Sequence, residues 1–314
     1  MLSRYIVDSE AWLGAPLRPV GAAVERDEGP AHLRHAVGFG QSMNSEEAAQ
    51  VLVGSKTVWQ TRGRFTSVEV LDVGAYRCLR IGDDTQLTQG YMHRTNPLDF
   101  RSEYLRQQLA ASVGAEAPLR ALCLGLGVGA VPRLLRALYP QIAVDAVELE
   151  PAVVEAAKRH FGLQTNRHLR VHEADARQFV RRLDVRAHYD LVFVDCFDSR
   201  AIPDALRRSD FYDDLIACVR PNGILSANIV QGRLGALSVL AHCQDRLLSP
   251  WAIAAPTKSN CAIFGGRTDP KLRPELIQRA QAHDALRRLP FKLENEIRRA
   301  VPLSEFRPRR ADRR

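Results

Sequence analysis

Between residues 121 and 229, short apolar runs alternate with helix-patterned segments at a spacing of roughly 25 residues, and this rhythm restricts the fold more than any other feature. The runs 121–125 (ALCLG), 143–148 (AVDAVE), 169–173 (LRVHE), 189–195 (YDLVFVD) and 223–229 (GILSANI) read as strands. Between them, VPRLLRALY, PAVVEAAKRHF, DARQFVRRL and SDFYDDLIACV read as helices. In the second of these, proline stands at the helix start, where its missing N–H costs nothing. Strand–helix–strand repetition of this kind closes through right-handed crossovers into a parallel sheet. The expectation is an α/β chain built on a doubly wound sheet.

The flanks differ. Residues 57–86 hold the runs TVWQT, SVEVLDV and YRCLRI, separated by glycine-containing turns, and read as a small antiparallel β unit. Residues 105–112 read as a helix leading into the loop GAEAP. Residues 1–45 show no sustained period, and beyond residue 271 the pattern is helical and then basic. The expected organisation is therefore an extension (1–45), a small β unit with a connecting helix (46–115), a Rossmann-like nucleoside-binding domain (116–270) and a helical segment with a basic tail (271–314). Hydrophobic residues make up 46% of the 314, enough for a sizeable core.

Composition narrows the functional classes. No uninterrupted apolar run reaches about 18 residues, so no membrane-spanning helix is expected. Asp8 and Glu10 break any signal-like start, and the expected location is cytoplasmic. The net charge of +8 looks like a footprint for nucleic acid until it is located. Residues 297–314 carry seven arginines against Glu305 and Asp312, net +5, leaving only +3 for the rest. A short arginine-rich tail is commonly a solvated end, so nucleic acid is not the expected partner. The six cysteines include no CxxC pair, and five lie in or beside apolar runs, where cysteine behaves as a small hydrophobe. His168 and His172 fall in a strand rather than on one helix face, so no metal is expected.

The residues that carry chemistry sit at strand ends. Gly125, Gly127 and Gly129 form a GLGVG loop closing the first strand, where glycine permits a tight turn and a close approach of backbone to ligand. Glu148 ends the second strand, where an acid can accept from both hydroxyls of a ribose. Asp175 and Ala176 follow the third, an acid for an adenine amino group and a small residue that leaves room for the ring. Together these loops define one crevice for an adenosine-containing ligand. Position 132 is proline, so the fuller dinucleotide spacing is missing and a nucleoside without a pyrophosphate fits better. The fourth strand ends Asp195-Cys196-Phe197-Asp198. Two acids there can attract an amine and take its proton; the plainer alternative is a helix cap plus a surface acid. Cys196 reads as a packing residue.

With Trp59-Gln60, DDTQ at 83–86, GLGVG, VELEP, EADA, YDLVFVDCFD, SDFY and PNGIL in this order, residues 59–265 resemble the spermidine synthase (polyamine aminopropyltransferase) family. The wording is closest to the spermidine synthase-like branch, whose loop reads GLG. The resemblance implies a methyltransferase-type Rossmann sheet behind an N-terminal β domain, in a homodimer. It also implies decarboxylated S-adenosylmethionine as donor, the small amine putrescine as acceptor, and spermidine and methylthioadenosine as products. Gln60, Glu148, Asp175 and Ala176 match adenosine-holding positions, Asp195 the catalytic aspartate and Asp198 a second amine-binding aspartate. The chain also departs from the family. Val128 replaces the loop aspartate that pairs with the aminopropyl ammonium. In the acceptor pocket Ser102 and Glu103 replace Tyr-Gln, Asn228 replaces a glutamine, and Lys258 corresponds to a late tyrosine. Two other readings stay open: a methyltransferase using ordinary S-adenosylmethionine on a small or protein amine, and a non-catalytic nucleoside-binding protein, against which the retained Asp195 and Asp198 speak.

Overall fold

The computed structural model describes residues 55–82, 88–98, 102–196, 202–231, 235–254, 260–268, 272–283, 289 and 291–308. The extension 1–45, the DDTQ motif, Asp198, Lys258 and the last six residues lie outside these.

Four strands, β1 (Lys56–Arg62), β2 (Ser67–Val73), β3 (Tyr76–Ile81) and β4 (Thr88–His93), form an antiparallel sheet in that order. The first three match the expected β unit. The fourth is hidden in the sequence because Gly90 interrupts its apolar alternation. That glycine is where the sheet meets the Gly-rich loop: a Cβ on it would stand 3.1 Å from the Val128 side chain. One face of the sheet, with Val68, Val70, Leu79 and Met92, joins the main core alongside Leu134 and Phe161.

The second sheet has eight strands. β5 (Arg120–Leu124), β6 (Ala143–Glu148), β7 (Leu169–Glu173), β8 (Tyr189–Val194) and β9 (Val219–Val230) are the five read from the sequence. They run parallel in the order β7-β6-β5-β8-β9. The order reverses between β5 and β8, and ligands bind at such a switch point in doubly wound sheets. β10 (Leu248–Ala254), β11 (Asn260–Gly266) and β12 (Val301–Pro302) extend the β9 edge, with β11 antiparallel between β9 and β10. These three were not expected, since β11 is buried along its whole length and shows no alternation to read.

Along β8, Leu191 and Phe193 enter one core while Val192 and Val194 enter the other. On the first side lie α1 (Glu103–Ala110, continued by a 3-10 turn), α2 (Ala130–Leu138), α3 (Pro151–Arg159), α7 (Arg273–Ala282) and α8 (Leu293–Arg298). On the other lie α4 (Ala176–Val180), α5 (Ser209–Cys218) and α6 (Ala236–Arg246). Glu150 caps α3 through the Ala152 N–H, and Pro151 opens that helix as expected. No helix among the described residues is long and apolar enough to cross a membrane.

Candidate active site

The crevice begins where β5 stops. Gly125 has φ +89°, and a Cβ there would run into the Asp195 carbonyl oxygen, so only glycine lets the ends of β5 and β8 come this close. The Asp195 N–H donates to the Leu124 carbonyl at 2.8 Å, which ties the two ends together. Gly127 differs: its φ is +52°, and a Cβ would meet nothing within 4 Å. This is the open side of the loop. Gly129, at φ +74°, precedes the first turn of α2.

Glu148 turns its carboxylate back onto the loop. Its Oε2 accepts from the Leu126 N–H and its Oε1 from the Glu150 N–H, both at 3.0 Å. Burial pushes this carboxyl up, against the pull of those backbone donors. Asp175 caps α4, its Oδ1 accepting from the N–H groups of Arg177 and Gln178 at 2.7 and 3.1 Å. Ala176 opens that helix. Cys196 marks where the acids converge: burial, followed by Glu148, Asp195 and Asp175, drives its thiol well above the ordinary range. It stands as a neutral thiol among three carboxyl groups. The other five cysteines are free and buried.

Asp195 is the most perturbed of these acids. Burial lifts its carboxyl to about 6, partly offset by the Asn228 amide, which donates from Nδ2 to Oδ1 at 2.9 Å. Tyr104 on α1 is held protonated by burial, then by Asp195 and Tyr91. One turn along the same helix, the Gln108 amide donates to the Val194 carbonyl at 3.3 Å. The Tyr104–Gln108 edge of α1 therefore faces the end of β8.

The expected residues divide. Gly125, Glu148, Asp175, Asp195 and Asn228 are brought to one crevice. Glu103 lies on the other edge of α1, toward Glu296 of α8, whose carboxyl is raised by burial first and by Glu103 only in addition, and which stands 4.0 Å from Arg106. Ser102 is buried just ahead of α1 and makes no side-chain cap. Gln60 is exposed and lines a groove of about 550 Å³ on the first sheet with Thr61, Arg62, Ser67, Glu69, Arg80 and Gly82. Val128 is buried against Gly90, so its side chain packs into the core. Tyr104 and Gln108 were missed because their helix reads as a plain connector. Among the described residues, no group of three or more His, Cys, Asp or Glu side chains is placed to hold a metal ion.

Known proteins resemble this chain in sequence and in fold. The family model described as the spermine/spermidine synthase domain matches residues 110–232. The polyamine aminopropyltransferase of Vibrio vulnificus is 30% identical over 182 residues, which cover 56% of this chain and 60% of that relative. The match thus spans about three fifths of that relative's length. The eEF1A lysine and N-terminal methyltransferase of Bos taurus is also 30% identical, over 190 residues covering 56% of this chain but 27% of that relative. Among solved structures, a probable spermidine synthase from Corynebacterium glutamicum superposes with a TM-score of 0.60 at 18% identity, over 72% of this chain and 88% of the other. That likeness is one of fold.

Proposed function

We propose that the chain is a member of the spermidine synthase/polyamine aminopropyltransferase family, whose domain model matches residues 110–232, and that it moves an aminopropyl group from decarboxylated S-adenosylmethionine to a small amine. The observation that carries this reading is Asp195: a part-buried carboxyl beside the Gly-rich loop, lifted to about 6 and held by the Asn228 amide. A base poised near neutrality is what proton removal from an attacking amine requires.

The residues present fit the nucleoside part of the donor. The open side of Gly127 leaves room for a ligand against the backbone. The Glu148 carboxylate, held by the backbone N–H groups of Leu126 and Glu150 at 3.0 Å, stands at the loop where a ribose hydroxyl would meet it. Asp175 uses Oδ1 for its cap, and Oδ2 can accept from an adenine amino group. Once the acceptor amine is bound, its nitrogen attacks the propyl carbon next to the sulfonium. The carbon–sulfur bond breaks with its electron pair going to sulfur, methylthioadenosine leaves, and the surplus proton on nitrogen passes to Asp195. Asp198 is assigned the second cation of the acceptor. Positioning and the fixed carboxylates supply much of the acceleration.

A second reading, methyl transfer from ordinary S-adenosylmethionine, is favoured by Val128. Where the resemblance places an acid for the donor's ammonium, this chain buries an apolar side chain. The name of the bovine relative points the same way. Incubation with each donor and an amine panel, followed by identification of the released nucleoside, decides between them. Methylthioadenosine establishes aminopropyl transfer and S-adenosylhomocysteine methyl transfer; release of neither overturns both.

A further inference from the structure

Behind Asp195, on neighbouring antiparallel strands, stand two buried amides. Asn228 lies on β9 and Asn260 on β11, with 5% and 7% of their surface exposed. The Asn228 Nδ2 donates to the Asp195 Oδ1 at 2.9 Å, and the Asn260 Nδ2 donates to the Asn228 Oδ1 at 3.2 Å. The chain of donors therefore runs in one direction, from Asn260 through Asn228 to the carboxylate.

A side-chain amide has two faces, and only one suits a carboxylate. With its oxygen toward Asp195, Asn228 would set a carbonyl against a negative charge and its NH2 group against that of Asn260. With its NH2 toward Asp195, both contacts become hydrogen bonds. In a buried site the wrong orientation leaves polar groups unpaired. We propose that Asn260 is a positioning residue for Asp195, fixing the Asn228 amide so that its NH2 group meets the carboxylate. The use of this device in turnover rests on the base role proposed for Asp195; the orientation itself does not.

The consequence is a setting of the pH at which Asp195 becomes a base. A buried carboxylate without a donor takes up a proton, and one with a donor stays charged to lower pH. Among the described residues, the other titratable groups facing Asp195 are Cys196 beside it, Tyr104 on α1 and Cys123 on β5, all kept protonated first by burial and then by nearby acids, Glu148 ahead of Asp195 for Cys196 and Asp145 ahead of Asp195 for Cys123. Glu148 and Asp175 are the further acids of the crevice, meeting it through Cys196. The Asn228 amide is thus the group that favours the ionised form.

The test is a titration. In the intact protein with carbon-13-labelled aspartate, the Asp195 carboxyl is followed by NMR in the wild type, Asn260→Leu, Asn228→Leu and the double variant. Asn260→Leu should move the Asp195 titration upward by roughly one unit, because the Asn228 amide, no longer held from Asn260, donates less well to the carboxylate. In the Asn228→Leu background the same change should do nothing further, since its effect passes through Asn228. The acid limb of kcat should shift with it, so that the loss of turnover shrinks as pH rises; a merely structural role would lower kcat at every pH. If the variants do not fold, the wild-type side-chain amides decide the matter: the nitrogen-15 resonances of both Asn228 and Asn260 should follow the Asp195 titration. An unmoved Asp195 titration in folded Asn260→Leu, or an Asn260 amide blind to it in the wild type, overturns the inference. Failure of the wild-type protein to release a nucleoside defeats the proposed function instead, and leaves the NMR result free to stand.

Discussion

Burial of the Asp195 carboxyl weakens the folded state whenever that group is ionised. Its folded value of about 6 stands above the ordinary 3.8, so the folded protein holds this proton more tightly than the unfolded chain does. The associated stabilisation is full below the lower value and is lost as pH rises toward the upper one. Asp195→Asn keeps the shape and removes the charge. At pH 8 the variant should be more stable than the wild type by something on the order of 2–3 kcal/mol, with little difference near pH 3.5. Urea unfolding at the two pH values checks this. Turnover should fall by roughly 10²-fold or more, the usual size of a general-base contribution, while donor binding changes much less. Near-normal turnover would remove Asp195 from the chemistry. For Glu148→Ala the expectation is reversed: methylthioadenosine affinity measured by calorimetry should drop by about 1–3 kcal/mol, because the ribose hydroxyls lose a charged acceptor.

At the scale of elements, the GLGVG loop uses its glycines for different ends. Gly125 keeps a Cβ out of the Asp195 carbonyl, which is backbone and cannot swing aside. Gly125→Ala should therefore cost about 2–4 kcal/mol of stability, from positive φ and overpacking together, and should push Asp195 out of place. Gly127→Ala meets no protein atom within 4 Å and pays only for its φ of +52°. It should lose about 1 kcal/mol of stability yet bind nucleoside more weakly, since the new methyl stands on the open side. Thermal melts and calorimetry on the pair separate the two roles, and equal behaviour of both variants would contradict this division. The motif is legible in the sequence, but which glycine serves the close approach and which leaves the loop open depends on β8, which reaches the loop from about 70 residues downstream.

Across the whole molecule, one carboxylate joins the two sheets. Glu150 follows β6, caps α3, and also accepts from the backbone N–H groups of Arg64, Phe65 and Thr66 at 2.9, 2.7 and 3.2 Å, in the turn between β1 and β2. Burial would raise its carboxyl, but these donors and the Ala152 N–H together hold it below the ordinary range. Gly63 has no side chain because a Cβ there would strike this carboxylate. Glu150→Ala strips four backbone donors at once and should cost about 2–4 kcal/mol. Glu150→Gln, which keeps one acceptor oxygen, should fall between. Since a lowered carboxyl stabilises above its unfolded pKa, the wild-type advantage should fade as pH drops through the acid range; an advantage that persists at pH 2 would count against the clamp.

Local pattern carried much of this protein. Apolar alternation and helical period follow from which face of an element is buried, and they mark five central strands and their helices within a few residues. Acids at strand ends are legible for the same reason: a charged residue closing an apolar run has reached the edge of the core. Tertiary structure decided what meets what. β11 is read by no period because both its faces are covered, and its place beside β9 is what brings Asn260 to Asn228. Tyr104 and Glu103 are neighbours in sequence, yet helix geometry turns one toward Asp195 and the other toward Glu296. Glu150 and Phe65 are separated by 85 residues and joined by one hydrogen bond. Burial is written along the chain because each residue answers to it alone; partnership is not, because it belongs to pairs that only the packing of sheets and helices brings together.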